Sequence, residues 1–428
     1  MGSYIERFWT STVDGTGLRT RDRASGKYRA YLPDLLASRS FSLDEATSND
    51  VELAARAIAR FDSSATTLTD TEALARLLLR AECVASSNIE GLWISPQRLL
   101  RADAELQTGK DPRDDTARAV LGNIAAMQRA TQLQGALSVD SICAIHAELF
   151  RGSRYEKIGG VVRPSQNWIG GSAYNPLDAA FVPPPEDHVH ALLDDLCEFA
   201  NRTDLPAIVQ AAIVHAQFET IHPFADGNGR TGRTLMYVTL RKRGLAEHAI
   251  PPISLVLSTH VQEYIGALKA YQSIDGDPTL PQHAVRIIDW VSIFAAAASS
   301  AVTQAQIFEE RIHTIVDRWR TTLGTRRAHA GGRRLIEHLA SHPVLTIAAA
   351  AEILSVSSFA ASNAIADLVE AGILVKRSTG RRNQVFEAHD VINAFVDLER
   401  SLASVDHDTN VSPPVRAVPA RRTRRKLT

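Results

Sequence analysis

Apolar side chains recur at helical spacing along most of this chain. Ala73, Leu74, Leu77, Leu78 and Leu79 form one such stripe, and the pattern from about 47 to 90 predicts helix. It returns from about 115 to 298, broken by the glycine-, proline- and asparagine-rich stretch 159–185 and by the proline-rich segments 251–253 and 278–281. Residues 300–323 predict a long amphipathic helix. Residues 1 to about 40 have little periodicity and predict an extended arm. Within 159–185, Val161-Val162-Arg163 and Asn167-Trp168-Ile169 predict short β pieces, and Pro183-Pro184-Pro185 stiffens the exit. Gly324, Gly331 and Gly332, with Arg326, Arg327, Arg333 and Arg334, mark a linker. Beyond it come helices at 335–339, 347–354 and 359–371, the last stopped by Gly372. Two strands follow, Ile373-Leu374-Val375 and Gln384-Val385-Phe386, around a Ser378-Thr379-Gly380 turn. The fold class is mainly α, with a small α+β domain after the linker and no internal repeat.

The densest local signals lie between 203 and 244. Thr203, Asp204 and Pro206 form a helix start, and Ile208, Val209, Ala212, Ile213 and Ala216 share a core-facing side. Pro223 disfavours helical dihedrals at the residue before it and ends that helix near His222. Gly227-Asn228-Gly229 can turn tightly and bring bare N–H groups to a ligand. Leu235, Val238 and Leu240 begin a second helix, with Gly244 as its C-cap. The glycine loop therefore sits at a helix N-terminus, where free amides and the macrodipole favour anions. Arg230 and Arg233, three residues apart, share a face and can grip a polyphosphate. Asp226 is a hard oxygen ligand suited to Mg²⁺ shared with phosphate oxygens. His222, at the opposite end, can take a proton from an incoming hydroxyl.

In this order and spacing, residues 222–233 resemble the Fic family motif, His-Pro-Phe-x-(Asp/Glu)-Gly-Asn-Gly-Arg-x-x-Arg, and match it at every fixed position. Fic proteins mostly move AMP from ATP onto a Tyr, Thr or Ser hydroxyl of a protein. The resemblance implies His222 as general base and Asp226 as the Mg²⁺ ligand. Asn228 and the neighbouring amides would form the anion hole, with Gly227, Gly229, Thr231 and Gly232 in the nucleotide-binding set. Arg230 and Arg233 would bind the β- and γ-phosphates. Pro223 and Phe224 would be structural, Phe224 as an inward anchor for the loop.

Residues 82–91, Glu-Cys-Val-Ala-Ser-Ser-Asn-Ile-Glu-Gly, place Ser86 and Glu90 four apart on a helix that Gly91 ends. Alone they read as an exposed helix end. Beside the motif they resemble the family's inhibitory helix, (Ser/Thr)-x-x-x-Glu-(Gly/Asn). That likeness implies that Glu90 pairs with Arg233 and keeps it from the γ-phosphate. The stretch 159–185 resembles the family's flap, a hairpin whose edge can pair with an extended target segment. Gly170 and Gly171 would then allow close approach of nucleotide or substrate. Tyr264 and Gln272 occupy the region where family members often place two tyrosines near adenine; the second position here is Ile265. Tyr264 is thus a candidate adenine wall, or a core tyrosine with a satisfied hydroxyl.

Composition narrows the surroundings. A formal net charge of −1 over 428 residues gives no global field towards nucleic acid or membrane. Cys83, Cys143 and Cys197 form neither a disulfide framework nor a zinc spacing, which suits a reducing cytoplasm. Glu6, Arg7 and Asp14 interrupt any signal-peptide pattern. Residues 290–308 carry no charge but are rich in Ala, Ser, Thr and Gln, as in a core-facing helix rather than a membrane span.

The C-terminal pattern of three helices and a β-hairpin resembles a winged helix-turn-helix domain, a fold that often reads DNA. Between 333 and 387 there are six Lys/Arg against five Asp/Glu, and the third helix has no Lys or Arg but offers Ser358, Ser362 and Asn363. The basic residues are Lys376, Arg377, Arg381 and Arg382 in the wing. DNA binding and a protein-docking or dimer-forming role both stay open. The tail, with Arg416, Arg421, Arg422, Arg424, Arg425 and Lys426, predicts disorder.

The expected organisation is an N-terminal helical region over 1–114, a Fic-type core over 115–298, a connecting helix and linker over 299–332, a winged helix over 333–396 and a basic tail over 397–428. The expected activity is a self-inhibited protein adenylyltransferase using ATP and Mg²⁺ on a protein target or on itself. AMP removal, transfer of another phosphate group at the same site, and a DNA-binding regulator that senses nucleotide are the alternatives.

Overall fold

The first forty residues are not an arm. In the computed structural model, which describes residues 2–13, 17–65, 71–107, 109, 112–272, 281–324, 330–377, 384–404 and 413, they form an antiparallel pair. Gly2–Trp9 (β1) runs against Gly26–Pro33 (β2), in register from Gly2 opposite Pro33 to Trp9 opposite Gly26. The helices follow in chain order: α1 Glu45–Ala65, α2 Thr71–Ile89, α3 Pro96–Gln107, α4 Asp115–Thr131, α5 Val139–Phe150, α6 Val189–Ala200, α7 Ala207–Ile221 and α8 Asn228–Lys242. Then come α9 Ile253–Thr259, α10 Val261–Gln272, α11 Pro281–Leu323 and α12 Ala330–Leu339. The last elements are β3 Val344–Thr346, α13 Ile347–Leu354, α14 Ser358–Glu370, β4 Val375–Lys376, β5 Val385–Glu387 and α15 His389–Ser401.

The chain divides into two compact units. One contains Met1–Arg56, Ala125–Leu245 and Gln262–Ala296; the other contains Ala57–Ile124, Ala246–Val261 and Ala297–Thr428. In the first unit α7 is the central helix. It is apolar on nearly every side, and all residues from Ile208 to Ile221 are buried, as expected of a helix surrounded by others. Trp290 of α11, itself buried, donates its indole N–H to the carbonyl of Ala212, 2.8 Å away. The segment after β2 is fastened to this core by Asp195 of α6, whose carboxylate accepts from the amides of Leu36 at 2.6 Å and Ala37 at 3.0 Å. Gln217 of α7 donates to the carbonyl of Asp34 at 3.0 Å.

In the second unit α2 packs on α9, and the buried carboxylate of Glu82 accepts from the amide of Ser254 at 2.7 Å. Arg80, also on α2, pairs with Asp103 and donates to the carbonyl of Ser341 at 2.9 Å. The last elements run helix, strand, helix, helix, strand, strand, and their sheet has the order β3-β5-β4. Thr346 caps α13 through the amide of Ala349, and Ser357 caps α14 through that of Ala360. Strand β3 was not expected from the sequence, and the strand expected at 373–375 is confined to β4.

Three expected boundaries differ. The long helix does not start near 300: α11 runs unbroken from Pro281 to Leu323. Helix α15 continues to Ser401, and Leu402 and Ala403 are buried, so ordered structure extends past 396. The linker is also shorter, since Gly331 and Gly332 lie within α12. By length and composition α11 could cross a membrane, but Trp290, Phe294, Ala305 and Phe308 are buried in the protein. The expected wing turn (Ser378, Thr379, Gly380), Arg381, Arg382, Arg326, Arg327 and the basic tail residues lie outside the described residues.

Candidate active site

Helix α7 ends where Pro223 requires it, and the residue that absorbs the change of direction is His222. Its backbone is left-handed, with φ 48° and ψ 59°, an uncommon state for a residue with a Cβ. The half-buried ring places Nδ1 3.3 Å from the carbonyl of Glu219 and 3.9 Å from its Oε2. A proton held on Nδ1 towards those acceptors puts the lone pair on Nε2, the tautomer a general base needs.

The run 222–224 is tied to its surroundings by side chains. The carbonyl of His222 accepts from Arg163 Nε at 2.9 Å and Asn167 Nδ2 at 3.1 Å. The amide of Arg163 donates to the carbonyl of Pro223 at 2.9 Å. Asn228 closes a ring with Phe224, accepting from its amide at 2.9 Å and donating to its carbonyl at 2.8 Å. The Asn228 side chain is therefore engaged in shaping the loop. Phe224 is fully buried as an anchor, its ring stacked 3.7 Å from that of His146 with an interplanar angle of 3°.

Gly227 is the N-cap of α8 at φ 78°, with no side-chain cap bond. A Cβ there would meet Leu149 Cδ2 at 2.7 Å, so conformation and space both demand glycine. The helical ladder begins with the amide of Thr231 donating to the carbonyl of Gly227 at 3.0 Å. The amides of Asn228, Gly229 and Arg230 precede it, as an anion site at a helix N-terminus requires. Gly232 has a different reason: a Cβ there would meet Glu219 Oε1 at 2.7 Å and His215 Nδ1 at 3.1 Å, so it permits the close approach of α7 and α8. The buried hydroxyl of Thr231 makes no hydrogen bond among the described residues.

The exposed Asp226 carboxylate accepts from the amide of Gly227 at 2.6 Å. Its carbonyl lies 2.9 Å from His146 Nε2, while His146 Nδ1 accepts from the amide of Gly160 at 2.8 Å. That acceptor on Nδ1 fixes the proton on Nε2. Burial, aided by nearby Arg230, pushes His146 down to about 4, so the ring is neutral at physiological pH. Arg230 is buried, its guanidinium 5.5 Å from the centre of the Phe150 ring.

Arg233 is 1% exposed, and its Nη1 donates to the Tyr264 hydroxyl at 3.3 Å. That hydroxyl is 2.9 Å from Nε2 of His215, which burial and the Arg233 charge push down to about 3. Tyr264 is thus a core tyrosine, stacked parallel to His215 and lying behind Arg233. Gln272 is buried at the end of α10.

The flap is built differently from a hairpin between its two expected β pieces. Val162 bridges to Phe224, and Ile169 bridges to Phe181. Gly170 and Gly171 both have φ near 75°, and a Cβ on Gly171 would meet the carbonyl of Asp178 at 2.5 Å, so a tight turn inside the flap explains them. Val161 and Ile169 face solvent, whereas Arg163 and Gln166 face inward. In the second unit, Ser86 is buried in α2, and Glu90 and Gly91 form the turn just past its end, Gly91 at φ 77°. His146, His215 and Glu219 carry no signal along the chain beyond that of a polar residue at a core position of an apolar helix.

Residues 136–240 match the Fic/DOC family model, and residues 48–132 match that of the Fic/DOC family N-terminal region. The chain is 28% identical over 131 residues to protein adenylyltransferase fic-1 of Caenorhabditis elegans, covering 30% of this chain and 23% of that protein. It is 35% identical over 92 residues to a probable protein adenylyltransferase of Aquifex aeolicus, covering 21% and 26%. The matches thus span about a quarter of these relatives' lengths. Among solved structures, a Fic family protein from Desulfovibrio desulfuricans G20 shares the fold, with a TM-score of 0.51 and 20% identity over 81% of this chain and 97% of that one.

Proposed function

We propose, from the match of segments 48–132 and 136–240 to the Fic/DOC family models, that this chain is a protein adenylyltransferase that moves AMP from ATP to a hydroxyl of a protein. The observation that carries the reading is the pairing of an oriented imidazole at the end of α7 with an uncapped anion-binding turn at the start of α8. A target Tyr, Thr or Ser hydroxyl gives its proton to His222 Nε2 as its oxygen attacks the α-phosphorus. The bond from that phosphorus to the bridging oxygen of pyrophosphate breaks, and pyrophosphate leaves. The amides of 228–230 and the buried Arg230 and Arg233 stabilise the phosphate charge without reorganising.

Asp226 is a single exposed carboxylate beside that turn, and among the described residues no group of three or more His, Cys, Asp or Glu is placed to hold a metal by itself. Such a donor set fits Mg²⁺ that arrives with the nucleotide and keeps phosphate and water ligands. The ion would be held by Asp226 and would neutralise phosphate charge. Glu90 is the inhibitory residue in this reading, competing for Arg233. The three free cysteines, two of them buried, accord with a cytoplasmic protein.

The order of elements from α12 to β5 supports a winged helix. Its exposed α14 surface bears Phe359 and no basic side chain, and Arg377 of the wing is engaged by Glu387. These features favour protein docking over DNA for that domain.

ATP labelled on the α-phosphate, incubated with wild type, Glu90→Gly and His222→Ala alone and with cell lysate, tests the reading. Protein-bound label should rise in Glu90→Gly and vanish in His222→Ala. No label in any of the three would refute adenylyl transfer.

A further inference from the structure

We propose that Arg163 and Asn167 are positioning residues that hold His222 in its left-handed backbone conformation and so aim its imidazole at the reacting hydroxyl. The inference rests on the general-base reading of His222. A non-glycine residue at φ 48° persists only where its surroundings enforce it, and such positions cluster at functional sites. The enforcement here is specific. Both Arg163 and Asn167 donate to the His222 carbonyl, at 2.9 and 3.1 Å. Arg163 donates through its own amide to the next carbonyl, Pro223, and Asn167 donates to the one after, Phe224, at 3.0 Å. Three successive peptide planes are thereby fixed from one segment of the flap.

Arg163 is 4% exposed, and its guanidinium serves main-chain carbonyls rather than a carboxylate: those of His222, Ser165 and Pro184. Burial pushes it down to about 10, so it remains charged at physiological pH. A buried cation given over to three carbonyls is a costly way to hold a loop. The planar fork explains the choice, because one ammonium could not reach all three directions. The ring of His222 follows its own Cα, so turning the 222 peptide re-aims Nε2. A misplacement of about 1 Å costs on the order of 100-fold in rate.

The test uses the full chain in the Glu90→Gly background with Asn167→Ala and Arg163→Lys. Asn167 is half-buried, so its truncation spares the fold even if the arginine variant does not fold. Label transfer should show kcat reduced about 10- to 100-fold in Asn167→Ala, with KM for ATP within about twofold, because the anion turn is untouched. A crystal structure of that variant should show residue 222 out of the left-handed region. An unchanged kcat, or kcat and ATP affinity falling together, would overturn the proposal. So would a structure in which residue 222 keeps φ near 48°, whatever the rate. If the parent transfers no label, the transfer reading fails by itself, and the variant's backbone at 222 still decides the clamp.

Discussion

Replacing His146 with phenylalanine isolates what holds the anion turn. Phenylalanine keeps the ring and its stack on Phe224 but removes both nitrogens. The amide of Gly160 and the carbonyl of Asp226 then lose their partners, in a place where the His146 side chain is fully buried. A fully buried polar group left unpaired costs about 1–3 kcal/mol; both bonds here are part-buried and water can reach the stranded groups, so the variant should lose about 1–3 kcal/mol in all at pH 7. Burial moves the imidazole from 6.5 to about 4, which corresponds to about 3 kcal/mol against protonating the folded state.

The sign follows from linkage. The unfolded ring binds a proton below 6.5, the folded one only below about 4. This contribution is therefore intact above pH 6.5 and is lost as pH falls towards 4. Phenylalanine has nothing to titrate, so the gap between the two proteins should narrow by about 2 kcal/mol from pH 7 to pH 5. His215 titrates in both proteins and cancels. Urea unfolding followed by tryptophan fluorescence at pH 5, 6, 7 and 8 measures the gap. A loss under about 0.5 kcal/mol, or a gap independent of pH, would refute the hydrogen-bonded clamp.

Gly227→Ala should cost about 1–2 kcal/mol for the left-handed conformation, and a further penalty of about 1–3 kcal/mol for crowding Leu149. Calorimetry with Mg-ATP should show affinity reduced more than about tenfold; an unchanged affinity would mean that the turn does not contact phosphate. Glu387 is fully buried, and burial works against its charge, yet His389, Arg101 and Arg377 hold it down to about 2. Its stabilising effect is present above 4.5 and is lost as pH falls from there towards 2. Glu387→Gln should destabilise by about 3 kcal/mol at pH 7 and flatten thermal unfolding over that acid range; an unaltered acid limb would rule Glu387 out as its source.

Elements with strong local signals were legible in the chain. Pro223 after His222, the glycines around Asn228 and Gly372 after α14 each act through their own backbone, so a short window of sequence suffices to place α7, α8 and α14. The β1–β2 pair escaped because its outer faces are charged, with Lys27 against Glu6 and Arg29 over Tyr4. The connection from 10 to 25 is also too long for a tight hairpin, and its Asp14-Gly15 pair is not flanked by alternating apolar residues. The flap glycines and Gly232 were legible as glycines but not in purpose, because the atoms that exclude a Cβ belong to distant residues. Tyr264 presented two readings that only its partners, His215 and Arg233, could separate.

The residues proposed to perform chemistry and those proposed to aim it are encoded differently. His222, Asp226, Arg230 and Arg233 lie within twelve residues because a helix end, a turn and a helix start must be consecutive to face one ligand. Such a set has a spacing, and spacing can be read. The groups that fix its geometry approach from elsewhere: His146 from α5, Arg163 and Asn167 from the flap, Tyr264 from α10. They are placed by tertiary packing and have no common interval. What they share is a physical condition. A helix that stops at a proline leaves the carbonyls beyond it without helical partners. In a loop packed against the protein, donors from other segments must supply what the helix does not. The search for positioning residues can therefore start from the main chain of the motif, asking which donors satisfy the carbonyls of 222, 223, 224 and 226. In this protein each of those four carbonyls leads to a residue outside the motif.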